Sequence, residues 1–224
     1  GPLSNVNEKY FHNEISFWND IVAHPEYDEF WASRNTLPHL KNITCAVLVV
    51  GGLFDAEDLY GIFHTYAAIE ELNPGIENNF VIGPWRHGGW LRGDGRSLGD
   101  ADFGFETAVD FRKRVLIPFF AHHLKGEPAP ELAEAMVFET GTNQWRYLEN
   151  WEPDDAEEKF LYLDDDGSLG WQSPTAGGED FDAFVSDPDN PVPYTATITT
   201  GWHAEYMVED QRFASRRPDV LVFR

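Results

Sequence analysis

Residues 46–51 read Ala-Val-Leu-Val-Val-Gly, an apolar run without polar alternation, the pattern of a strand covered on both faces in a parallel sheet. Gly51-Gly52 closes it. From Glu57 to Leu72 the apolar side chains Leu59, Ile62, Phe63, Tyr66 and Ile69 recur at helical spacing, and Asn73-Pro74-Gly75 ends the element. A second buried strand is predicted over Asn79–Gly83. A further helical stretch runs from about Phe105 to Lys125, with Pro118 inside it as a kink or break. Residues 9–35 are helical and aromatic in pattern, carrying Tyr10, Phe11, Phe17, Trp18, Tyr27, Phe30 and Trp31. Strand, crossover helix, strand, loop and helix in that order predict an α/β fold.

The pattern changes near Glu127-Pro-Ala-Pro130. Beyond it come short strand-like runs, Ala135–Glu139, Gln144–Leu148 and Lys159–Leu163, separated by turn clusters such as Asp164-Asp-Asp-Gly167 and Asp187-Pro-Asp-Asn-Pro191. Such punctuation predicts an antiparallel β-sandwich or barrel. Two domains are therefore expected, 1–127 and 128–224. The second should be incomplete, since Asp219-Val-Leu-Val-Phe-Arg224 stops within a strand-like run, and the opening Gly1-Pro2 resembles the scar of a removed tag. No internal repeat stands out.

Composition narrows the partners. Of 224 residues 42% are hydrophobic and 15% aromatic, enough for a substantial core. Against 16 basic side chains stand 39 acidic ones, a net charge of −23. That surface repels phosphate backbones and anionic headgroups, which argues against nucleic acid and membrane partners. Cys45 is the single cysteine, so no intrachain disulfide can form; within Ile43–Val50 it is expected to be a buried, inert thiol. No run reads as a membrane-spanning helix.

In open α/β sheets catalytic groups gather on the loops beyond the carboxyl ends of the strands. Two such loops carry candidates: Asp55 after Gly51-Gly52, and His87 in Gly83-Pro-Trp-Arg-His87-Gly-Gly-Trp90. An acid followed by a histidine on a later strand end is the partner order of an α/β-hydrolase. The imidazole must accept a proton from a nucleophilic hydroxyl, and the carboxylate must fix its tautomer. Gly95-Arg-Ser97-Leu-Gly99 matches G-x-S-x-G formally, yet Leu91–Arg96 before it reads as loop rather than strand. It also follows both partners. Ser97 is a decoy.

These motifs carry a resemblance. Gly52-Leu-Phe-Asp55-Ala-Glu-Asp58-Leu-Tyr-Gly61, Gly83–Trp90, Pro118-Phe-Phe120 with Leu124-Lys-Gly126, Thr140-Gly-Thr-Asn-Gln-Trp145, Ser186–Tyr194 and Glu209–Leu221 resemble the second half of the cocaine-esterase/X-Pro dipeptidyl-peptidase-like (peptidase S15-type) hydrolases. The branch most resembled is that of the α-amino-acid ester hydrolases and glutaryl-cephalosporin acylases. The resemblance implies the C-terminal half of an α/β-hydrolase fold over 1–127, with 1–40 a helical cap-like segment, followed by part of a β jelly-roll domain over 128–224. It implies Asp55 and His87 as triad acid and base, with the nucleophile serine and oxyanion hole in an upstream half. It also favours a periplasmic or secreted location and allows a homo-oligomer.

The expected activity is therefore that of a serine hydrolase cleaving ester or amide bonds of small acyl or α-amino-acyl substrates, with no cofactor and no metal. The alternative is a non-catalytic β-sandwich binding module with an inert hydrolase remnant. Asp55 has a competing structural role as a helix N-cap, and Asp58 suits the helix dipole. The resemblance also implies clustered carboxylates for a substrate amino group, and Asp28, or else Glu26 or Glu29, is the candidate; the competing reading is a helix packing its aromatics on the domain. Trp85 and Trp90 are candidates for the wall of an acyl pocket, or equally for core. His122-His123 lack an acidic residue at ligand spacing and read as surface. Asp164–Gly167 reads as a hairpin turn rather than a calcium loop.

Overall fold

The computed structural model of the chain describes residues 3–164, 166–173, 181–197, 201 and 205–224. Gly1 and Pro2 lie outside the described residues. An amino-terminal stretch contains two short helices, α1 (Ser16–Ala23) and α2 (Glu29–Ala32). Then come β1 (Val47–Gly52), α3 (Leu59–Leu72), β2 (Asn78–Gly83), and a small hairpin of β3 (Ser97–Leu98) with β4 (Ala101–Asp102). A helical rod follows, α4 (Thr107–Phe111) running through a π turn at Arg112–Leu116 into α5 (Ile117–Lys125). The break expected at Pro118 is absent. The proline sits in the first turn of α5, and the wider π turn before it absorbs the distortion its missing N–H would otherwise force.

The main sheet has the order β1-β2-β5-β6, where β5 is Ala135–Glu139 and β6 is Gln144–Leu148. β1 and β2 are parallel, in register from Val47 opposite Asn78 to Gly52 opposite Gly83, and β2 pairs β5 in parallel. β5 and β6 close antiparallel. The predicted α/β character holds, but the strands expected to open a separate β domain at 128 belong to this sheet. β6 is largely exposed, and the Thr140–Asn143 turn gave the pair the look of a free hairpin. The helical crossover α4–α5 makes β5 parallel to β2.

Every residue of β2 is buried, and its side chains alternate between two cores. Phe80 and Ile82 pack with Ile62 and Tyr66 of α3, whereas Val81 packs with Ala108, Phe111 and Val115 of the helical rod and with Met136. Helices thus cover both faces of the parallel strands. β1 is less covered, its first four residues only half-buried, because it is the edge. Cys45, expected to be buried, is exposed: it precedes the first sheet-paired residue, Val47.

Beyond Leu148 the described residues form the hairpin of β7 (Tyr162–Leu163) with β8 (Leu169–Gly170) and two 3-10 turns, Tyr206–Val208 and Gln211–Phe213. The β7–β8 turn is the Asp164–Gly167 segment, closed by the Gly167 N–H donating to the Asp164 carbonyl; Asp165 lies outside the described residues. The terminal segment pairs with it, Leu169 N–H donating to the Arg224 carbonyl and Arg224 N–H to that of Gly167.

One fully buried hydroxyl ties the rod to the loop after β2. Thr107 Oγ1 donates to the Gly95 carbonyl at 2.6 Å and accepts from Trp85 Nε1 at 2.9 Å. Thr107→Val keeps the volume but leaves both groups without a partner. It should lower unfolding free energy by about 1–3 kcal/mol, read by chemical denaturation; an unchanged midpoint would show that the hydroxyl carries no weight.

Candidate active site

The parallel ladder between β1 and β2 does not stop at the strand ends. Leu53 N–H donates to the Gly83 carbonyl at 2.8 Å, and Phe54 N–H to the Trp85 carbonyl at 3.1 Å. Two exit loops that would otherwise diverge are held together for one further turn. The approach is so close that a Cβ on Gly52 would sit 2.1 Å from the Trp85 carbonyl oxygen, which only glycine permits.

The next residue along the first loop is Asp55, buried, and its two carboxylate oxygens do different work. Oδ1 accepts from the backbone N–H groups of Glu57 at 2.8 Å and Asp58 at 3.1 Å, shaping the turn into α3. Oδ2 lies 2.9 Å from Nδ1 of His87, thirty-two residues later. One oxygen thus shapes the turn ahead of α3 and the other holds the imidazole, while the N-cap position expected of Asp55 falls to Asp58. Asp58, expected to serve the helix dipole, is the N-cap of α3 and accepts from Gly61 N–H at 2.8 Å.

A carboxylate only accepts, so Nδ1 of His87 must carry the proton it offers to Asp55. The lone pair therefore sits on Nε2. The His87 side chain is 47% exposed, and among the described residues the charged group nearest Nε2 is Glu57 Oε2 at 3.8 Å. The pair is thus a base with its tautomer fixed and its basic nitrogen open. Glu57 escaped the sequence reading; its position two residues past Asp55, on the turn that Asp55 caps, was the available signal.

The Trp85 side chain belongs to the core, although the residue also borders a cavity of about 240 Å³ beside His87. It is 2% exposed, its indole N–H is spent on Thr107, and it packs against Phe111 and Trp145. Trp90 packs on the same core with its ring centroid 6.4 Å from that of His87, edge to face, so it braces the imidazole. Asp28 is taken by its own neighbours: Oδ2 meets His24 Nδ1 at 2.6 Å and Oδ1 caps Phe30 N–H at 2.9 Å. The hydrogen bond from His24 holds its carboxyl below the ordinary range. Among the described residues its hydrogen bonds lie within α2 and the turn before it.

Ser97 lies at the start of β3, opposite Asp102 in the hairpin. It borders the same cavity of about 240 Å³ as His87, but no strand-to-helix elbow lifts its hydroxyl, and His87 makes its polar contacts with Asp55 and Glu57 instead. His122 Nδ1 donates to the Glu127 backbone carbonyl, while His123 pairs with Glu77. No group of three or more metal-binding side chains occurs among the described residues. Nor, among them, is any helix long and apolar enough to cross a membrane.

The chain is similar to known hydrolases. The family model described as X-Pro dipeptidyl-peptidase (S15 family) matches residues 3–89, which include both exit loops. Cocaine esterase of Rhodococcus sp. (strain MB1 Bresler) is 27% identical over 221 residues, covering 92% of this chain and 36% of that protein. Among solved structures, an aminopeptidase from the marine sediment archaeon Thaumarchaeota archaeon superposes with a TM-score of 0.83 at 39% identity, over 94% of this chain and 36% of that one. An α-amino acid ester hydrolase labelled with selenomethionine gives 0.85 at 33% identity, over 97% and 37%. The chain thus spans little more than a third of the relatives it matches.

Gly52→Ala tests the junction on which the pair depends. The added methyl cannot be placed without moving backbone, at a cost of about 1–3 kcal/mol, and should separate the two loops. The expected readout is loss of the downfield proton resonance of the His87–Asp55 hydrogen bond. Its persistence at the wild-type position would show that the loops tolerate the side chain.

Proposed function

We propose, from the premise that the chain belongs to the S15-type, cocaine-esterase-like family of hydrolases, that it supplies the acid–base half of a serine hydrolase acting on esters or amides. The observation that carries this reading is the buried Asp55 carboxylate on Nδ1 of His87, with Nε2 left open.

In this reading a serine on a segment preceding the chain presents its hydroxyl to Nε2. His87 takes the proton as the oxygen attacks the carbonyl carbon, and Asp55 stabilises the imidazolium that forms. His87 then returns the proton to the leaving alcohol or amine, and water repeats the sequence on the acyl-enzyme. The exposed edge of β1 supports such a preceding half. A parallel strand of Val47-Leu-Val-Val50 is normally covered on both sides, so further strands are proposed to continue the sheet there. We place a β jelly-roll domain downstream and set its beginning beyond Leu148, since β5 and β6 belong to the α/β sheet.

The substrate class proposed is small α-amino-acyl esters or amides. Glu57 puts a carboxylate 3.8 Å from Nε2, where an α-ammonium group on the acyl part would be attracted and held. Two of the relatives are described as an aminopeptidase and an α-amino acid ester hydrolase, consistent with that charge.

The test compares variants of the polypeptide that joins this chain to its preceding segment, assayed on p-nitrophenyl and α-amino esters. Asp55→Asn keeps an oxygen for the Glu57 and Asp58 N–H groups but turns an amide N–H toward His87. Melting temperature should hold while kcat falls by about 10⁴-fold, through the wrong tautomer. His87→Ala should fall at least as far, and equal activity in His87→Ala and wild type sinks the proposal. Glu57→Gln should raise KM for α-amino esters by about tenfold relative to esters without the amino group.

A further inference from the structure

The loop from Pro84 to Gly95 is fixed by backbone contacts from the helical rod. Arg112 spends both terminal nitrogens on it, donating to the Trp90 carbonyl at 3.0 Å and the Gly93 carbonyl at 2.9 Å. Thr107 holds Gly95, and the N–H groups of Ala108 and Val109 both donate to the Asp94 carbonyl. What this scaffold leaves unspent is two guanidinium groups. Arg86 and Arg92 line the cavity of about 240 Å³ beside His87. Among the described residues neither lies within ion-pair distance of a carboxylate, although the chain carries a net charge of −23. Other arginines are taken: Arg96 by Asp102, Arg114 by Asp110, Arg217 by Asp219.

Two acids share the cavity wall. Asp94 accepts from Arg96 N–H at 3.0 Å, and Glu205 stands where the cavity meets a second one of about 530 Å³. Neither neutralises the arginines by direct pairing. A guanidinium without a carboxylate, facing a cavity on a rigid loop, is a preformed receptor for a planar anion.

We infer that Arg86 and Arg92 form a carboxylate subsite on the leaving-group side of His87, and that the substrates include zwitterionic dipeptide-like amides. This rests on the hydrolase reading and deepens it. The leaving group must lie within reach of Nε2, which returns its proton, so its far end enters the cavity that His87 itself borders. A free carboxylate there meets Arg86 and Arg92, while the α-ammonium end meets Glu57. Opposite charges on the two sides of Nε2 fix the direction in which the substrate lies, and disfavour the reversed orientation by like-charge repulsion at both ends.

The experiment compares L-alanyl-glycine with L-alanyl-glycinamide, which differ only in the terminal charge. Wild type should favour the acid by about tenfold in kcat/KM, the scale of one charge-assisted hydrogen bond. Arg86→Gln and Arg92→Gln should each bring that ratio toward one, and Arg→Lys at either position should restore part of it. The amide rate serves as the reference for general damage to the fold. A wild-type ratio near one, or a ratio that neither glutamine variant changes, overturns the subsite. If neither compound nor alanine p-nitrophenyl ester is cleaved, the hydrolase reading fails, and NMR titration then decides the subsite alone. Tighter binding of the acid than the amide, lost in the glutamine variants, supports it; equal binding overturns it.

Discussion

The site depends on a hydrogen-bond ladder that runs on after its strands have ended. Leu53 and Phe54 still donate to the carbonyls of Gly83 and Trp85, although β1 and β2 have finished at Gly52 and Gly83. Each of those bonds is an ordinary backbone contact of modest net worth. Their effect is geometric, because they set the separation of two loops to within the reach of one carboxylate. Gly52 is the condition for it, since no side chain fits between that residue and the Trp85 carbonyl. With the loops fixed, a buried acid and a half-exposed histidine thirty-two residues apart meet at 2.9 Å.

From the other side the same loop is braced by the helical rod. Thr107 satisfies the Trp85 indole and the Gly95 carbonyl together, and Arg112 donates to the carbonyls of Trp90 and Gly93. Trp85 links the two braces: its carbonyl accepts from the first loop and its side chain fills the core beneath the second. This is why the tryptophan nearest in sequence to His87 is almost wholly buried, even though it borders the cavity beside the histidine. Its volume is used to hold the histidine's backbone, and catalytic geometry is inherited from packing.

What could be read from the sequence follows from which forces are local. The apolar run of β1, the periodicity of α3 and the positions of Asp55 and His87 beyond strand ends were all legible, because period and strand polarity are written along the chain. Rejecting Ser97 was legible too, since an elbow needs a strand directly before it. The membership of β5 and β6 was not. A strand's partner is a long-range choice, and Ala135–Leu148 carries the same short, turn-punctuated pattern whether it opens a sandwich or closes an α/β sheet. Cys45 failed for a related reason, as apolar neighbours in sequence say nothing about where sheet pairing begins. Asp28 was a candidate only through the resemblance; in three dimensions His24 and the start of α2 engage both its oxygens. Glu57, Arg86 and Arg92 gain their meaning only from distance to His87 and from what their neighbours leave unpaired.

Asp55 shows why local and catalytic explanations need not compete. Capping the turn into α3 with one oxygen orients the carboxylate plane, and that orientation aims the other oxygen at His87. Were the acid held only by the histidine, its rotamer would vary with the protonation of the imidazole during each proton transfer. Two backbone N–H groups that never change charge remove that freedom, so the tautomer is set before any hydroxyl arrives. The acid–base pair is consequently complete within this chain's own backbone contacts. On the reading proposed above, a serine brought to Nε2 would need to add only itself and donors for the oxyanion, because the imidazole is already oriented.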